Sequence, residues 1–187
     1  MSTGVVALAE IGDKTQLLAF ILASRFKRPL PIIMGILVAT ILNHGLAGAL
    51  GAWITATVSP DVLHWALGLS FIGMAIWTLI PDKIEEEETQ IARRFGVFGA
   101  TLITFFLAEM GDKTQIATVA MAVHYTTPIL VVVGTTLGML IADVPAVFAG
   151  DKLATRIPMK LVHSIAAAVF AILGIATLMG AGSSLGF

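Results

Sequence analysis

At 187 residues, 57% of them hydrophobic and only 12% charged, with a mean hydropathy of +0.95, the chain is too apolar for an ordinary soluble domain and reads as a multispan membrane protein. A net charge of −1 with no basic tail speaks against a nucleic-acid partner. The absence of cysteine excludes disulfides and thiolate metal sites.

The start, Met1-Ser2-Thr3-Gly4, has no basic n-region and runs straight into an apolar stretch, which is expected to be a first transmembrane helix and not a cleaved signal peptide. Apolar runs able to cross about 30 Å of hydrocarbon follow one another at roughly 3–24, 32–57, 62–80, 95–123, 128–149 and 161–181. All six are expected to be helical, because lipid tolerates no open sheet edge. The expected fold is therefore all-α, a polytopic membrane protein of six transmembrane helices.

Apart from Lys14 and Lys113, every Lys and Arg lies in the first, third or fifth connecting loop. Those loops share one side of the membrane, and an excess of basic residues marks the cytoplasmic side. Both termini then lie outside, in the periplasm if the membrane is the inner membrane of a Gram-negative cell.

A constant offset of 99 residues, without a gap, pairs Glu10 with Glu109, Pro29 with Pro128, Gly35 with Gly134, His64 with His163, Phe71 with Phe170 and Thr78 with Thr177. The chain thus reads as two copies of a three-helix unit, residues 1–80 and 95–187, joined by an acidic cytoplasmic linker at 81–94 that carries Glu85 to Glu88. An odd number of spans per unit turns the second copy upside down. Inverted repeats of this kind are a mark of transporters, which hold substrate near the midplane between the halves.

Within the first span stands Ala9-Glu10-Ile11-Gly12-Asp13-Lys14-Thr15-Gln16, and within the fourth Ala108-Glu109-Met110-Gly111-Asp112-Lys113-Thr114-Gln115. A charged group in hydrocarbon costs about 3 kcal/mol or more. On a continuous helix Glu10, Asp13 and Lys14 share one face. A salt bridge within each copy would lock one helix but would need only one acid per lysine. The second acid of each copy leaves the two motifs with a net charge of minus two, which one divalent cation or two protons would neutralise.

Oxygen donors of this kind suit hard cations such as Mg²⁺, Ca²⁺ or Mn²⁺. Glu10, Asp13, Glu109 and Asp112 are the expected metal ligands. Gln16 and Gln115 lie well round an ideal helix from the acids and become candidates only if Gly12 and Gly111 unwind the backbone. Those glycines serve equally well for close helix packing. As additional ligands or groups behind the ligands, Thr15 and Thr114 meet the same difficulty as the glutamines, and otherwise cap freed carbonyls. Lys14 and Lys113 cannot ligate while protonated and act as counter-charge. Asp143, buried in the fifth span, reads as a proton relay or outer ligand. Its offset partner His44, with Asn43 beside it, reads as either a functional group or an interhelical polar contact.

Duplicated E-x-G-D-[KR]-[TS] motifs on the first and fourth of six helices resemble uncharacterised protein family 0016, also called the Gdt family, over essentially the whole chain. The resemblance implies cation/proton antiport, with Glu10, Asp13, Glu109 and Asp112 as the essential acids. The compact length is similar to that of the bacterial members, which export Mn²⁺ from the cytoplasm. The expected function is accordingly secondary transport of Mn²⁺ outward, with H⁺ as counter-ion and no cofactor. The alternatives are a Ca²⁺/H⁺ antiporter, a passive divalent-cation pathway, a non-transporting metal sensor or scaffold, and, most remotely, an intramembrane protease. Expected partners are the metal ion, protons and the lipid bilayer, and a homo-oligomer is compatible with the sequence.

Overall fold

The computed structural model describes residues 1–79, 95–125, 127–149 and 159–179. Among these residues the fold is all helical: α1 (Ser2–Glu10), α2 (Lys14–Phe26), α3 (Pro29–Thr57), α4 (Pro60–Thr78), α5 (Gly96–Glu109), α6 (Lys113–His124), α7 (Pro128–Ala149) and α8 (Met159–Leu178). Proline opens α3, α4 and α7, where its missing N–H falls among donors that no helix start can pair. The acidic linker expected at 81–94 lies outside the described residues.

Of the two roles left open for Gly12 and Gly111, unwinding is the one the backbone shows. The first and fourth apolar runs are each broken in two, at Ile11-Gly12-Asp13 and at Met110-Gly111-Asp112. Gly12 and Gly111 take φ of 87° and 77°, left-handed values that glycine adopts without strain. Asp13 and Asp112 are extended, with ψ of 171° and 164°, and stand as the N-caps of α2 and α6. The Asp112 side chain accepts from the Lys113 N–H at 2.6 Å. Hydrophobicity does not register these breaks, because the chain stays apolar on both sides of them.

Only α3, residues Asp61–Thr78 of α4, and α7 are single helices long and apolar enough to cross a membrane among the described residues. The halves of the broken runs have 9, 13, 14 and 12 residues, each short of the ~20 needed to span alone.

Small residues set the helix contacts and their directions. Gly35 of α3 backs onto Thr101 of α5, and Gly51, farther along α3, backs onto Ala122 of α6, so α3 runs parallel to the α5–α6 pair. Gly138 of α7 lies against Thr3 and Val6, and Gln16 reaches the Ala142 carbonyl, so α7 runs parallel to α1–α2. By contrast α4 and α8 are antiparallel: Phe71 stacks on Phe170 with centroids 6.5 Å apart, and His64 Nε2 lies 3.3 Å from the Leu178 carbonyl.

Two apolar clusters flank the breaks. One joins α1, α4, α6, α8 and the start of α7, including Val5, Phe71, Met121, Phe170 and Leu173. The other joins α2, α3, α5 and the end of α7, including Leu18, Ile36, Phe105 and Val147, and holds no residue of α4 or α8.

Candidate cation site at the two helix breaks

Breaking the helices sends each acidic turn toward the other copy. Lys113 Nζ lies 2.9 Å from Asp13 Oδ1, and Lys14 Nζ lies 3.5 Å from Asp112 Oδ2. In place of a lock within each helix, the reading weighed against above, two ion pairs cross between copies. Lys113 and Asp13 are wholly buried, whereas the Lys14 side chain is 23% exposed.

Each glutamate is left to a hydroxyl. Thr15 Oγ1 donates to Glu10 Oε2 at 2.6 Å and Thr114 Oγ1 to Glu109 Oε2 at 3.2 Å. Of the roles open to the threonines, the described bonds are to the glutamates and not to freed carbonyls: with the helix broken just before them, they face back onto the last residue of the preceding helix. The remaining oxygen of each glutamate, Oε1, is buried without a hydrogen-bond partner. Such a group costs stability unless a cation or proton satisfies it.

Unwinding also decides the roles of the amides. The Gly12 N–H donates to Gln16 Oε1 at 2.8 Å and the Gly111 N–H to Gln115 Oε1 at 2.7 Å. These side chains brace the breaks, and Gln16 Nε2 ties its own to α7 by donating to the Ala142 carbonyl at 2.9 Å. A Cβ on Gly111 would meet nothing within 4 Å, so close packing does not account for this glycine.

The structure brings the polar pair of α3 and the lone acid of α7 to the same interior. Asn43 Nδ2 donates to the Phe106 carbonyl at 3.1 Å, an interhelical contact, one of the two readings the sequence left open for it. His44 and Asp143 are fully buried, and neither ring nitrogen nor carboxylate oxygen has a hydrogen-bond partner. Asp143 lies within Coulombic reach of Glu10, Glu109 and Asp13. Sequence reasoning missed the carbonyls of Phe106 and Ala142, since backbone acceptors carry no residue signature. It also passed over Pro145, which lies inside α7 two residues beyond Asp143 and removes a helical N–H there.

The ensemble is five buried carboxylates against two ammonium groups, with hydroxyl and amide oxygens between them. All its anionic donors are hard oxygens, the chemistry that takes Mn²⁺, Ca²⁺ or Mg²⁺. Among the described residues, no three acidic or imidazole groups converge closely enough to form a finished metal cage. The aspartates are instead engaged by the lysines. What this arrangement can do is exchange charge: a cation entering the carboxylates competes with two built-in ammonium groups, and a proton on any carboxylate weakens its hold on either.

Comparisons with known proteins agree with this chemistry. The family model described as divalent cation/proton antiporter GDT1 matches residues 1–86 and 97–184. The chain is 49% identical over 178 residues to a Vibrio cholerae protein named "Putative manganese exporter", covering 95% of this chain and 88% of that one. It is 31% identical to GDT1-like protein sll0615 of Synechocystis, with 89% of each covered, and 28% identical to GDT1-like protein 5 of Arabidopsis thaliana, with 95% and 93% covered. No solved structure matches. The chain therefore belongs to the GDT1 family of divalent cation/proton antiporters.

Proposed function

We propose that this protein exports a divalent cation, Mn²⁺ before Ca²⁺, from the cytoplasm in exchange for protons. The observation that carries the reading is the crossed pairing of Lys14 with Asp112 and Lys113 with Asp13. It joins the two motifs into one buried site whose internal cations a metal ion can replace. Glu10, Asp13, Glu109 and Asp112 hold the metal once the ammonium groups move aside. Protons arriving from an acidic exterior neutralise the acids and discharge the ion. A near-neutral cytoplasm removes those protons and readmits the next ion.

The membrane arrangement that fits is six spans in two inverted three-helix units, residues 1–80 and 95–187, in the inner membrane with both termini outside. Helix directions support it. Inversion requires the first span to run parallel to the fifth, the second parallel to the fourth, and the third antiparallel to the sixth, which are the directions of the contacts described above. Mn²⁺ is preferred over Ca²⁺ on the name of the Vibrio cholerae relative.

Proteoliposome flux tests the reading. Mn²⁺ uptake by vesicles should rise when their lumen is more acidic than the bath, should exceed Ca²⁺ uptake, and should vanish in Glu10→Gln and Asp112→Asn. Flux indifferent to the pH difference would replace exchange with a passive pathway.

A further inference from the structure

From this same reading, we infer that Asp143 is a fifth oxygen ligand to the transported ion, making the metal site asymmetric between the two halves. Most of the site obeys the 99-residue offset: Glu10 and Glu109 each accept from a threonine, Gln16 and Gln115 each brace a glycine, and the ion pairs cross. One departure from the symmetry changes the charge of the site. Where α7 carries Asp143 and, two residues on, Pro145, the equivalent positions of α3 are His44 and Leu46.

Three observations assign the role. Asp143 is fully buried and both its oxygens lack a hydrogen-bond partner, which is costly for a carboxylate whose only purpose is packing. It lies within Coulombic reach of Glu10, Glu109 and Asp13, acids that belong to both breaks. Its position is held from the site itself, since Gln16, which braces the first break, binds the carbonyl of the preceding residue Ala142. Pro145 removes the donor that would pair with the Ile141 carbonyl, leaving α7 a point of bending beside Asp143. A hard divalent ion takes about six or more oxygens, and a fifth carboxylate brings that number within reach when the lysines withdraw. His44, an imidazole in the mirrored place, offers no carboxylate.

The test is Mn²⁺ titration of purified full-length protein in detergent, read by the electron paramagnetic resonance of free Mn²⁺, together with thermal unfolding in the absence of divalent ions. Asp143→Asn should weaken Mn²⁺ binding about ten-fold or more, while unfolding no earlier than the parent protein, because an unpaired buried carboxylate has been neutralised. The double variant His44→Asp, Asp143→His moves the carboxylate to the mirrored position and should recover part of the lost affinity. Asp143→Asn with parental affinity would overturn the inference, as would lost affinity accompanied by early unfolding that the double variant does not restore. If the parent protein itself binds no Mn²⁺, the exporter reading fails first.

Discussion

Lys113 and Asp13 show why intramembrane charge can be tolerated here. Both are completely buried and 2.9 Å apart, so each supplies the counter-charge the other has lost by leaving water. Removing one partner of such a pair leaves the other exposed to the full desolvation penalty, about 3–5 kcal/mol. Lys113→Met should therefore lower unfolding stability by about that amount, measured in detergent without divalent ions. Lys14→Met should cost clearly less, since that ammonium is partly exposed and its contact is longer, 3.5 Å. Equal losses would contradict the burial difference. The identities of these residues were legible in the motif. Their partners were not, because pairing across 99 residues depends on where the two breaks meet.

The element that matters most is the three-residue break rather than any helix. Glycine at a left-handed φ lets the chain stop α1 and α5 and restart at an aspartate, which turns helix ends, and the carboxylates on them, toward the centre of the bundle. An L-residue placed there bears about 1–2 kcal/mol of backbone strain. Gly111→Ala should show this cost without a steric component, the space beside it being open. Gly111→Asn should be milder, because asparagine visits the left-handed region more readily. Thermal unfolding of the two variants checks the ranking, and a harmless alanine would argue that α5 and α6 fuse without penalty. Sequence reading offered unwinding and packing as equal roles for these glycines. Only the backbone angles separate them.

Across the whole molecule, the α4–α8 pair joins the apolar cluster around α1 and α6 and takes no part in the one around α2 and α5. At the end that holds the N-terminus, Val5, Phe71, Met121 and Leu173 line one small cavity, and the Tyr125 hydroxyl donates to Met1 Sδ at 3.5 Å. A transporter opening alternately to each side has to part these contacts. Joining Val5→Cys to Leu173→Cys with a short bifunctional thiol reagent should stop Mn²⁺ flux, with recovery when a cleavable linker is cut. Continued flux in the linked protein would show that α8 need not leave α1. The natural absence of cysteine makes such labelling clean. It also tests orientation: an impermeant maleimide should reach Ser59→Cys in intact cells and Lys27→Cys only after permeabilisation. The reverse pattern would invert the proposed topology.

The membrane class, the helical content, the duplicated acidic motifs and the family were all readable from the chain alone. They rest on composition, spacing and residue identity, which folding does not change. Tertiary structure decided what those residues do to one another. The breaks abolish the single polar face that an unbroken helix would have presented, and so the lysines cross to the opposite copy, the threonines fall to the glutamates and the glutamines turn to the backbone. Which groups surround Asp143 was equally hidden in the sequence, because a carboxylate in an apolar run has one spelling whether it lies beside a neighbouring helix or near Glu10, Glu109 and Asp13. The physical reason is common to all of these cases: short-range electrostatics and hydrogen bonds depend on distances of a few ångströms, and those are set by packing between segments far apart in the chain.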